Sequence, residues 1–270
     1  MQSPATATLS LGRCFLGAAT MASGVLQLVT GEFVRLVPWW PAWLPVKAAW
    51  PYLVGVCLVV IGFAVLSGRR ARTAATLLGA MILTMVLLLW PHPFIWNPVV
   101  DRPFFRGFMW TNPLKALALL GGAAILAGRS PGEPRPLAAL VHGFSRREAL
   151  GPVFLALFLV VCGVQHFVYS RFVVMMVPSW IPPGQMFWTH FTGVALIAGG
   201  AGVLAPRVSR LAASLSGVMI FLWVLLLHIP RALAGPNHSN ETAGVFEALA
   251  LSGVAFLVAG TRAPDSGPQR

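Results

Sequence analysis

The chain has 270 residues and a net charge of +12, yet only 10% of its residues are charged and 57% are hydrophobic. Soluble domains carry about 25% charged residues, so a water-soluble globular fold is excluded. The uncharged runs Val54–Ser67 and Leu211–Leu227 mark an integral membrane protein. The positive charge does not point to nucleic acid, because the basic residues sit at the ends of apolar runs and are not interleaved with aromatics.

In chain order, eight transmembrane helices are predicted, over 10–30, 50–67, 72–90, 112–128, 150–169, 187–205, 209–229 and 243–260. A span needs about 20 mainly apolar residues, and these runs are too long for strands and lack period-two alternation. Lipid also denies the backbone any outside partner, which leaves helices or a closed barrel. The first run, with Arg13 ahead of it and Ala18-Ala19-Thr20 within it, has some look of a cleaved signal. Its Gly24-Val25 returns as Gly163-Val164 in mid-chain, where no signal peptide can lie, so it is kept as a span. The loop from Pro91 to Thr111 is rich in Pro, Trp and Phe. Residues 129–148 form a cytoplasmic linker whose start is polar and extended, with a short interfacial helix expected over 137–144. The tail 261–270 is expected to be disordered.

The eight runs fall into two sets of four. Arg69, Gly79 and Val86 recur as Arg207, Gly217 and Val224 at a constant offset of 138 residues. The last run of each set aligns at an offset of 132: Lys115-Ala-Leu-Ala-Leu faces Glu247-Ala-Leu-Ala-Leu, and Gly121 and Gly128 face Gly253 and Gly260. A shared register over whole helices points to a duplicated unit. Four spans per unit is even, so both copies lie in the same sense. The expected fold is therefore all-α: a polytopic membrane protein whose eight helices form two parallel-repeat four-helix bundles, 1–128 and 149–260. With the N-terminus inside, inner segments hold 12 basic residues and outer segments 7. That excess puts both termini in the cytoplasm of a multi-pass protein of the plasma (inner) membrane. Of the 10 tryptophans only Trp223 falls mid-span; the others gather at outer ends and loops, which are expected to pack down as a lid.

Cys14, Cys57 and Cys162 lie scattered inside apolar runs, which argues against a disulfide framework or zinc knuckle. Ala118/Gly122, Ala195/Gly199 and Ala198/Gly202 put small residues on one helix face, as close packing inside a bundle requires.

The sequence carries a diffuse set of Gly, Pro and Trp signals: Gly24-Val-Leu-Gln-Leu, Trp43-Leu-Pro, Tyr52-Leu-Val-Gly55, Gly68-Arg-Arg and Asn112-Pro-Leu-Lys115-Ala-Leu-Ala-Leu-Leu-Gly121-Gly122. The second half repeats the series as Gly163-Val-Gln-His, Trp180-Ile-Pro, Gly193, Gly199-Gly200, Arg207 and Gly253. These segments resemble the DoxX-like membrane proteins. The resemblance implies two fused four-helix units covering nearly the whole chain. It also implies an accessory membrane subunit, in some cases tied to quinone-linked sulfur oxidation or redox-stress complexes. It transfers no catalytic residue, because the matching positions are architectural.

Polar residues inside spans are costly and tend to be functional. The second half offers one ionisable group per helix at similar depth: His166, His190, His228 and Glu247. Their counterparts in the first half are Gln27, Tyr52, Trp90 and Lys115. Three readings stand. In the first, the groups line a small-ligand or quinone pocket at the outer mouth of the second bundle. In the second, they bind a metal: they suit zinc, iron or copper by ligand type, although no two histidines stand at i, i+3 or i, i+4, and no metal is assigned. In the third, they are interfacial residues, with Glu247 paired to Arg171 or Arg231. Lys115 either snorkels to the outer headgroups or faces the bundle axis and attracts a polar head.

No nucleotide loop, haem attachment motif or nucleophile with its base occurs, and mid-span charges are nearly absent. A self-sufficient enzyme and a charge-driven ion transporter are both disfavoured. The expected function is an accessory or redox-associated membrane subunit, partnered by the lipid bilayer and an oxidoreductase subunit and not by nucleic acid. Its cofactor is unknown. The alternatives are a small-molecule permease and a non-catalytic membrane scaffold.

Overall fold

Long apolar runs without alternation can satisfy their backbone only as helices when lipid surrounds them. The computed structural model accordingly contains helices and no strand among its described residues, 4–33, 46, 48–89, 103–131, 149–234 and 238–261. The helices are α1 (Pro4–Thr30), α2 (Trp50–Ser67), α3 (Ala71–Leu89), α4 (Pro103–Arg129), α5 (Leu150–Val168), α6 (Ser170–Val174), α7 (Gln185–Leu204), α8 (Ser209–Trp223), α9 (Ile229–Ala234) and α10 (His238–Thr261). A π-helical turn, Val224–His228, joins α8 to α9. Seven stretches among the described residues are long and apolar enough to cross a membrane. The exception among the eight predicted spans is α3, whose stretch Ala71–Leu87 is apolar but shorter. The expected linker helix, the disordered tail and most of the expected lid lie outside the described residues.

The apolar surface fits lipid as the surrounding solvent. Val56, Val60 and Phe63 on α2 and Leu211, Leu215, Val218 and Leu222 on α8 are all exposed, at helical spacing. In water such stripes would be a liability. The opposite extreme is found in α4 and α10. Every residue from Ala118 to Ala127 and from Ala250 to Gly260 is buried, as expected for helices that are apolar all round.

The helices do not sort into two separate four-helix bundles, and here the structure corrects the sequence reading. Each half repeats the same internal pairings, α1 with α2 and α3 with α4, then α5 with α7 and α8 with α10. The closing contact is exchanged. Among the described residues α1 packs extensively on α10, and α5 packs on α4. Two five-helix rings result, α1–α2–α3–α4–α10 and α5–α7–α8–α10–α4, sharing the edge between α4 and α10. The local cause is small residues at corresponding places. Gly12 of α1 meets Gly253 of α10, and Gly121 of α4 meets Gly151 of α5. A Cβ at Gly253 would stand 2.8 Å from the Leu16 backbone nitrogen, so only glycine permits this approach. Periodicity located these glycines, but it could not say which helix would fill each notch.

Basic residues at the end predicted to face the cytoplasm also finish the helices. Gly68 takes φ 75° and ends α2. The Arg13 guanidinium donates from Nη1 to the carbonyls of Val65 and Leu66, both at 3.1 Å. Arg72 Nε donates to the Ala127 carbonyl of α4 at 3.0 Å. Helix C-termini carry unpaired carbonyls and partial negative charge, so cations placed there satisfy both.

Gly253→Leu is expected to lower stability by about 1–3 kcal/mol or more through overpacking of the α1–α10 crossing. Thermal midpoints in detergent, followed by size-exclusion recovery, would read this. Lipid-facing Leu215→Ala should leave the midpoint near its parent value. An unshifted midpoint for Gly253→Leu would contradict the crossing.

Candidate ligand site at the seam of the two halves

The shared edge of the two rings carries an ion pair. Lys115 of α4 donates from Nζ to Glu247 Oε2 of α10 at 2.7 Å. The Glu247 side chain is only 7% exposed and that of Lys115 22%. These two residues occupy corresponding positions, 132 residues apart. Seven residues further along both helices, Gly122 meets Val254, again a corresponding pair. The two helices therefore run parallel along the seam.

Lys115 thus faces the bundle axis. Glu247 pairs with it and not with Arg171 or Arg231, the partners expected from the sequence. Arg231 instead makes a two-pronged bond to Glu241, Nε to Oε2 at 3.1 Å and Nη2 to Oε1 at 3.0 Å. This second pair ties α9 to the start of α10. Thr111 Oγ1, a turn before Lys115, donates to Gln165 Oε1 of α5 at 2.8 Å.

Each predicted histidine has its own neighbours among the described residues. His228 closes the π-helical turn, half-buried, within electrostatic reach of Lys115, Glu247, Glu241 and Arg231. His166 turns back on its own helix. Its Nδ1 donates to the Cys162 carbonyl at 2.7 Å, and its ring lies over Trp223 with centroids 6.2 Å apart. His190 is exposed and stacks on Phe167, with centroids 5.4 Å apart and planes within 5°. Among the described residues no three of His, Cys, Asp and Glu come together as a metal would require.

A cavity of about 80 Å³ sits inside the first ring, between α1, α2, α3, α4 and α10. Its wall is largely apolar, with Leu16, Leu58, Leu78, Ile82 and Leu119 contributing. Two strongly polar side chains interrupt that wall, Gln27 from α1 and Glu247 from α10. They are 4% and 7% exposed. Each keeps one oxygen, Oε1, buried with no hydrogen-bond partner among the described residues. Glu247 therefore does two things: Oε2 holds the seam and Oε1 is left over beside a cavity. In the sequence Gln27 showed only as the counterpart of His166; a polar residue in an apolar run was the available signal.

A family model described as a domain of unknown function (DUF8561) matches residues 155–259, the stretch from α5 to α10. The chain matches no curated protein and no solved structure.

Glu247→Leu is expected to cost about 3 kcal/mol, the low end for a broken buried pair because Lys115 keeps some exposure. The exchanged pair, Lys115→Glu with Glu247→Lys, should recover most of that loss, since the two positions face each other across the seam. Denaturation midpoints of the two single variants and the exchange variant check this.

Proposed function

We propose that this chain is a DoxX-type accessory membrane protein that holds a small lipid-phase molecule in the cavity of its first ring. Two tandem units lying in the same sense in the plasma membrane, with both termini cytoplasmic, make up the chain. The repeated helix pairings, the corresponding glycine notches and the match of a single domain model to the second half support the tandem reading. The ligand reading rests on one observation. A cavity with apolar walls carries two buried oxygens that no described residue satisfies.

An unpaired buried acceptor costs about 1–3 kcal/mol. A scaffold without a ligand would have no use for two of them beside one void. A bound molecule that satisfies them offsets the cost, and an apolar body on that molecule matches the wall. The seam pair adds rigidity on one side, because α10 cannot shift without separating Lys115 from Glu247. A membrane subunit that presents such a molecule to an oxidoreductase partner fits this arrangement, with the chemistry performed by the partner.

The test is chemical. The full chain is purified in lipid nanodiscs and extracted with organic solvent, and the extract is compared with bulk membrane by mass spectrometry. One small apolar species should be enriched to about one per chain, and Ala19→Phe, which fills the cavity, should lose it. An extract matching bulk lipid in both proteins would favour a scaffold without a ligand.

A further inference from the structure

The unsatisfied atoms define the head of the molecule they await. A carboxylate oxygen only accepts hydrogen bonds, so whatever meets Glu247 Oε1 must donate. Gln27 offers a second acceptor in the same cavity. The charge of the head is set by the seam. Lys115 already balances Glu247 at 2.7 Å, so an ammonium head would bring an uncompensated buried charge. Such a charge is strongly unfavourable. A neutral hydroxyl donates without that penalty.

Water alone is a poor occupant. A buried water makes about three hydrogen bonds to polar groups. Here several waters would compete for the two free acceptors and little else. Of the other polar residues of the wall, Ser23 and Thr20, the second already spends its hydroxyl on the Leu16 carbonyl at 2.7 Å. Leu16, Leu58, Leu78 and Ile82 offer a water nothing. They suit the short apolar body of a molecule whose polar end lies at Gln27 and Glu247.

We infer that the first-ring cavity binds a short, uncharged, hydroxyl-bearing amphiphile from the membrane phase, its hydroxyl donating to one of the two free oxygens and Gln27 lying within the polar end of the site. This rests on the ligand-cavity reading above and adds the sign and charge of the head.

The probes are 1-butanol, its donor-free isomer methyl propyl ether, and butylammonium. Each is measured by equilibrium dialysis against the full chain in nanodiscs, with empty nanodiscs correcting for partition into lipid. 1-Butanol should bind saturably, one per chain, at least tenfold more tightly than either other probe. Ala19→Phe should abolish that binding. Gln27→Leu, which adds no bulk and no charge, should cut the alcohol-to-ether ratio at least threefold. Equal binding of alcohol and ether, both blocked by Ala19→Phe, would overturn the donor inference while leaving the cavity as a ligand site. Tighter binding of butylammonium would overturn the neutral head. An unchanged ratio in Gln27→Leu would overturn the part assigned to Gln27. Absence of saturable binding by any probe, or binding indifferent to Ala19→Phe, would remove the ligand cavity itself and leave water as its occupant.

Discussion

A charge placed among apolar helices must find its counter-charge inside the protein, because lipid supplies none. Lys115 and Glu247 meet that demand at the edge shared by the two rings, and the rest of the architecture is arranged about them. The two helices that carry the pair are the most buried of the candidate spans among the described residues. Around them, small residues let α1 and α5 approach from opposite sides. At the other end of the bundle, Arg13 and Arg72 close helix C-termini. Charges in this protein are few, and those described at the seam and at these caps hold helices together.

Corresponding positions of the two halves face each other along that edge, and this constrains their chemistry. Identical residues there would set lysine against lysine or glutamate against glutamate. Unlike residues are needed, and the chain has Lys115 opposite Glu247 and Gly122 opposite Val254. One pair is complementary in charge and the other in size. Away from the seam the halves are free to differ for other reasons. The first ring has a cavity with two unsatisfied oxygens. In the second, His166 and His190 are engaged by Cys162, Trp223 and Phe167.

Helices were legible because long uncharged runs have only one way to satisfy their backbone in lipid. The small-residue stripes were legible too: Gly122 meets Val254, Gly199 meets Ser216 and Gly202 meets Ala212. The exchange of first helices was not legible. A glycine notch on α1 reads the same whether α4 or α10 fills it, and only the three-dimensional path of the chain decides. The surroundings of the histidines were not legible for a different reason. Equal depth along a helix says nothing of azimuth, and His190 faces outward while His166 binds its own helix. His228 is further displaced by the π-helical turn, which adds a residue and rotates the next turn by roughly 100° relative to a regular helix. Lys115 was readable as an axial cation in one of its two readings, yet its partner came from the other half at its own corresponding position. No pattern in a single helix could announce that.

The central claim is that α4 and α10 lie side by side and parallel within one chain. A disulfide tests it most directly. A Cβ at position 122 would stand 3.3 Å from Val254 Cβ, close to the 3.5–4.5 Å that disulfides span. With Cys14, Cys57 and Cys162 replaced by alanine, Gly122→Cys with Val254→Cys should form a disulfide within the monomer on mild oxidation in native membranes. Gly122→Cys with Leu215→Cys should form none. Failure of the first pair to join, or joining only between two chains, would contradict the shared seam.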